Sequence, residues 1–145
     1  MEIQMPVDSY SRPPRWYWVG TALALLAASL ALVAWVLYLV TGPDEMQRLA
    51  GYRPTWIFHG TLAVAAFGEA MGAIGLLLRK TWAVPAFIVS AVATVAFYVY
   101  LLFIVKAQGT FAVPIAIVLV HLLLCWFAIH VRGRGWLTKR RGPWS

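Results

Sequence analysis

Acids and cysteine are almost absent from this chain. Of 145 residues, five are Asp or Glu and one is Cys. Charged residues make up 12%, where a soluble domain carries about a quarter. A solvated, charged surface is therefore excluded for most of the length. Cys125 has no internal partner, so no disulfide framework can hold the fold, and no metal-ligand spacing surrounds it. It reads as a small apolar filler. GxSxG, Walker, HExxH and CxxC patterns are missing, and no pair of acids is spaced for acid–base work on a substrate. His59 and His121 fall at different depths of separate apolar segments, which disfavours a haem or metal bridging them. The expectation is a protein that is not an enzyme and holds no cofactor or metal.

What the chain does have is apolar length. Four blocks lack Asp, Lys and Arg: Trp16–Val40, Trp56–Leu78, Trp82–Val105 and Phe111–Val131. A bilayer core takes about 20 apolar residues as helix, and each block reaches that. Buried in lipid, a backbone must satisfy its own polar groups, which leaves helices or closed barrels. The alternating strands of a barrel are not found. The spacing predicts an all-α integral membrane protein, a four-transmembrane-helix bundle over residues 16–131. A polar tail (1–15) precedes it and a basic tail (132–145) follows. The first block is too long for a signal-peptide core, so it reads as a retained helix.

Basic residues distribute unevenly about these helices. Nine lie on one face: Arg12, Arg15, Arg79, Lys80, Arg132, Arg134, Lys139, Arg140 and Arg141. Three lie on the other: Arg48, Arg53 and Lys106. The bias places both termini in the cytoplasm. The basic tail then reads as a topology anchor, with the lipid bilayer rather than nucleic acid as its partner. Arg79–Thr81 forms a tight hairpin, so helices 2 and 3 are antiparallel neighbours, and the short Lys106–Thr110 link does the same for helices 3 and 4. Residues 41–55 make the one sizeable loop. Asp44 with Gln47 resembles a capping box, which predicts a short separate interfacial helix near 44–50.

Membrane helices associate where small residues let backbones approach. Helix 1 offers Gly20, Ala24, Ala27, Ala31 and Ala34, and helix 2 offers Thr61, Ala65, Gly68, Gly72 and Gly75. Both follow heptad-type spacing. Helix 3 adds Ala83, Ala86, Ser90 and Ala93, so helices 1, 2 and 3 should form the close core, with helix 4 docked through bulkier side chains.

One acid interrupts the blocks. Glu69 lies in FGEAMGAIGLLL, with no basic residue within eight positions. A charged acid at a helix centre costs about 2.5–3.5 kcal/mol on insertion scales. It should be protonated, hydrated or paired. His121 is central in the fourth block, and Ser90 and Thr94 share the same level of the third. A midplane polar cluster of Glu69, His121 and one of these hydroxyls is expected. It would either share a proton in a transport or binding role or simply fix packing by an interhelical hydrogen bond. His59 is a further candidate near the outer end of helix 2. Tyr98 and Tyr100 are expected to line an aromatic cleft with Trp35 and Tyr38, or to pack as aromatics do.

The segments PTWIFHGTLAVAAFGEAMGAIGLLL and RKTWAVPAFIVSAVATVAFYVYLLF, with the closing RGRGWL, resemble a family of small four-helix bacterial inner-membrane proteins. Its members carry the label "sugar transporter". The resemblance covers roughly residues 54–137 and implies a multi-pass protein of the bacterial inner (plasma) membrane. Two functions are expected: a small transporter-like protein coupled through Glu69 and His121, or a non-catalytic accessory subunit of a larger membrane complex. Four helices rarely enclose a path alone, so a homo-oligomer or larger assembly accompanies either.

Overall fold

The computed structural model describes residues 13–50, 55–105 and 112–137. They form four helices: α1 (Arg15–Ala50), α2 (Trp56–Leu77), α3 (Ala83–Tyr100, extended by a π-helical turn, Leu101–Val105) and α4 (Ala112–Gly133). Among the described residues there is no strand. Each helix contains a stretch long and apolar enough to cross a membrane: Arg15–Gly42, Trp56–Leu77, Ala83–Phe103 and Ala112–Gly133.

One boundary departs from the sequence reading. The apolar span of α1 ends at Gly42, close to the expected Val40, but the helix does not. It runs on to Ala50 and absorbs the segment expected to be a separate interfacial helix. Pro43 removes only the N–H that would reach back to Leu39, and Glu45, Met46, Gln47, Leu49 and Ala50 beyond it are good helix formers. Two local contacts steady the crossing. The Thr41 hydroxyl donates to the Leu37 carbonyl at 3.0 Å. The Tyr38 ring lies over bare Gly42, where a Cβ would sit 2.1 Å from a ring carbon.

The α2–α3 interface is the closest in the bundle, and glycine makes it so. A Cβ on Gly75 would lie 2.8 Å from the Cβ and 2.9 Å from the Cα of Ala83. On Gly72 it would meet the Phe87 ring at 2.8 Å, and on Gly68 the Ser90 Cβ at 3.1 Å. Ser90 uses this proximity to donate a hydrogen bond to the Ala65 carbonyl at 2.7 Å. Helix α1 packs on α2 and buries Tyr17, Thr21, Ala24 and Ala28. That stripe is rotated from the expected alanine seam: Ala24 is fully buried, Ala31 is half-buried and Ala34 exposed. Helix α4 packs on α3 and touches α1 in few places.

The bundle is closed at one end and open at the other. The core (Tyr17, Ala24, Leu76, Phe87, Leu124, Val131 and their neighbours) gathers where the α2–α3 turn lies. There α2 finishes in a Schellman-type turn. Lys80 N–H donates to the Gly75 carbonyl and Arg79 N–H to that of Leu76. Arg79 takes φ +55°, a conformation that glycine usually supplies. Helix α4 ends the same way at Gly135 (φ +72°), with Trp136 N–H donating to the Val131 carbonyl. The two turns are tied together, because Arg79 Nε donates to the Trp136 carbonyl at 3.0 Å. Trp136 stacks edge-on with Trp16 (4.9 Å between centroids), and the Tyr17 hydroxyl donates to the Leu76 carbonyl. At the opposite end α1, α2 and α3 still meet, through Tyr38, Phe58 and Phe97. The first turns of α4 bury no residue, so a cleft opens there between α1 and α4.

Gly75→Ala should therefore cost about 1–3 kcal/mol, since the new methyl meets backbone that cannot rotate away. Gly60, with nothing within 4 Å of its Cβ position, provides the control. Gly60→Ala should be neutral or stabilise by up to about 1 kcal/mol through helix propensity. Thermal unfolding midpoints in one detergent measure both.

Candidate functional site

Glu69 is 2% exposed, near the middle of α2. The residues three and four positions away on its face are Ala65, Ala66, Gly72 and Ala73, all buried. None is large enough to shield the carboxyl from the adjacent helices, so it extends past them toward α4. There its Oε2 lies 3.3 Å from Nε2 of His121.

The other imidazole nitrogen defines the chemistry of this contact. His121 Nδ1 lies 2.9 Å from the Ile117 carbonyl, one turn back on α4. A carbonyl only accepts, so Nδ1 carries a proton. A hydrogen bond between Nε2 and the carboxyl then requires one further proton, carried by either group. Either a protonated Glu69 donates to Nε2, or a protonated His121 donates to the carboxylate. In both forms the pair is neutral overall. That neutrality lets two ionisable groups remain in an apolar interior, where an isolated charge would be strongly disfavoured.

The expected hydroxyl partner is absent from the pair itself. Ser90 is fully buried but spends its hydrogen on Ala65. Thr94 is 4% exposed and its Oγ1 has no hydrogen-bond partner. It shares a cavity with the pair instead. This cavity, of about 180 Å³, is lined by side chains from all four helices, including Ala34, Glu69, Thr94, Phe97, Tyr98 and His121. A second cavity, of about 360 Å³, lies between α1 and α4 and also reaches Glu69 and His121. Its remaining walls are aliphatic, among them Ala27, Leu30, Ala31, Ile117 and Val120. The pair thus forms the floor shared by both chambers.

The other sequence candidates lie elsewhere. His59 is ten residues from Glu69 along α2, about 15 Å at the rise of a helix. It packs on Tyr38 with ring centroids 5.5 Å apart, and its buried Nδ1 has no hydrogen-bond partner. Of the two readings of the aromatics, packing describes Trp35, Tyr38 and Tyr100. Trp35 packs edge-on against Phe67, Tyr38 sits on Phe58, and the Tyr100 hydroxyl pairs with that of Thr55 at 3.0 Å. Of the four aromatics, Tyr98 alone lines the Glu69 cavity. Gly68, Gly72, Gly75 and Ala24 are packing positions, whereas Ala31 faces both chambers. His130 stacks on Trp126. Among the described residues, no three of His, Cys, Asp and Glu come together as a metal site requires. The cavity walls Leu62, Phe97 and Ile117 carry no sequence signal of their own, because apolar residues in an apolar helix look alike whichever way they face.

No family model, no curated protein and no solved structure matches the chain.

Two sets of variants separate packing from pairing here. Ser90→Ala should lower the thermal midpoint, by an amount equivalent to less than about 1 kcal/mol. Thr94→Val should leave it unchanged or raise it, because the lost hydroxyl bonds to nothing. A double-mutant cycle over Glu69→Gln and His121→Gln should return a coupling of about 0.5–2 kcal/mol. Additive effects would mean that the two groups do not hold each other.

Proposed function

We propose that the protein is a multi-pass protein of the bacterial inner membrane that moves a small solute, exchanging it for a proton held by Glu69 and His121. The observation that carries this reading is a buried contact between Glu69 Oε2 and His121 Nε2, 3.3 Å apart, that lines two chambers of the bundle. A group that must be reached alternately from two sides needs such a path. The basic residues support the orientation: the closed end carries Arg15, Arg79, Arg132 and Arg134, which the positive-inside rule assigns to the cytoplasm. The cleft would then open outward. Rupture of the clasp made by Tyr17–Leu76 and Arg79–Trp136 would give the alternative, inward-open state. The gap between α1 and α4 favours a homo-oligomer, in which a second copy completes the wall.

A second reading has one observation of its own. Helix α1 continues about two turns beyond its apolar span, a rigid extension suited to gripping a partner. As an accessory subunit, the chain would co-purify in fixed ratio with another membrane protein in mild detergent.

Proteoliposomes loaded with a pH-sensitive dye distinguish the two. With the wild type, at least one of a panel of sugars, amino acids and amines should drive a lumenal pH change. Glu69→Gln should reduce that rate at least about tenfold while eluting as the wild type does, as removal of an obligatory coupling group predicts. A silent wild type, or a Glu69→Gln variant as fast as the wild type, contradicts the transporter reading.

A further inference from the structure

The chambers beside Glu69 constrain what they can hold. We propose that the ligand is a small amphipathic amine, a protonated nitrogen on an apolar body about the size of one ring, and not a sugar. This rests on the transporter reading for its purpose but on the cavity alone for its chemistry.

Size is the first constraint. A cavity of about 150 Å³ accepts benzene, and the chamber holding Glu69 and Thr94 measures about 180 Å³. A single ring fills it. Polarity is the second. Four side chains with polar atoms face this chamber: Glu69, Thr94, Tyr98 and His121. Two of them are committed to each other. A sugar carries a hydroxyl on nearly every carbon, and each buried hydroxyl needs a partner. The aliphatic and aromatic walls leave most of them with none. One nitrogen is a different matter. Its N–H groups can donate to the Glu69 carboxylate and to Thr94 Oγ1, which is buried, faces the chamber and has no partner of its own. The rest of the molecule then lies against Phe97 and Leu62, or extends into the aliphatic chamber between α1 and α4.

Charge is the third constraint. The titratable groups facing the chamber are Glu69 from α2, Tyr98 from α3 and His121 from α4, and α1 contributes none. With one shared proton, the Glu69–His121 pair is neutral. If a protonated amine binds the carboxylate and the shared proton leaves, the imidazole remains neutral and the site is again neutral. One cation enters and one proton departs, with no net charge gained by the interior. A neutral ligand of the same shape has no such exchange and would leave the proton in place.

The test uses purified full-length protein in detergent, with benzylamine, its neutral counterpart benzyl alcohol, and glucose as probes. Thermal midpoints report binding, and a dye in weakly buffered solution reports protons. Benzylamine should raise the midpoint, bind at least about tenfold tighter than benzyl alcohol as a charge-assisted contact predicts, and release about one proton per molecule bound. Glucose should do nothing. Glu69→Gln should abolish the benzylamine effect. Should that variant fail to fold, Ala31→Leu supplies the second arm, because it narrows both chambers without touching the pair. It should weaken benzylamine binding while the variant elutes as the wild type does. Stabilisation by glucose, equal binding of amine and alcohol, or unchanged amine binding in both variants would overturn the proposal. Amine binding without solute-driven proton movement in liposomes would defeat the transporter reading and leave the ligand class standing. Sugar-driven proton movement would do the reverse.

Discussion

An ionisable group in an apolar interior must have a partner, and this fold is organised around how Glu69 meets that requirement. The carboxyl sits midway along a helix with alanine and glycine as its neighbours on the same face. Nothing on α2 can neutralise it. The partner has to come from another helix at the same level, and His121 is placed there by α4. Because the Ile117 carbonyl occupies the other ring nitrogen, the imidazole faces Glu69 in a fixed orientation. A single proton in that contact makes the pair neutral overall, whichever group carries it.

The rest of the packing is asymmetric about that point. Below it, glycine contacts bring α2 against α3, while Tyr17 and Arg79 tie the helix ends with bonds to the carbonyls of Leu76 in α2 and of Trp136 in the turn after α4. Two Schellman-type turns, one at Arg79 and one at Gly135, let the chain fold back tightly enough for these bonds to form. Above it, α4 diverges from α1 and the walls become small or aliphatic side chains. The ionisable pair lies where the closely packed end gives way to the two chambers.

The sequence made some of this legible and concealed the rest for physical reasons. Four long apolar runs require helices once water is excluded, so the number and placement of the helices followed from composition. The glycine stripe of α2 was visible because small residues at heptad spacing mark close approach, and the pairing of Glu69 with His121 followed from their shared level in separate runs. Helix continuity through Gly42 and Pro43 was hidden because those residues usually mark a break, and only their context shows that the helix formers beyond them prevail. The fate of the hydroxyls was also hidden. Ser90 and Thr94 lie one turn apart on α3, yet one bonds the Ala65 carbonyl while the other faces a cavity. The cavity itself left no trace, since Ala31 and Ala34 read as a packing seam and Ile117 as any lipid-facing residue.

The central claim is that Glu69 and His121 hold one proton jointly and exchange it with the outside through the open cleft. Infrared difference spectroscopy of the carboxyl band, recorded on proteoliposomes as the external pH is changed, tests it most directly. The account predicts a buried carboxyl band that is absent in Glu69→Gln, responds to external pH, and moves in frequency in His121→Leu, as loss of its hydrogen-bond partner requires. A Glu69 band indifferent to both pH and the loss of His121 would contradict the account and reduce the pair to a packing contact.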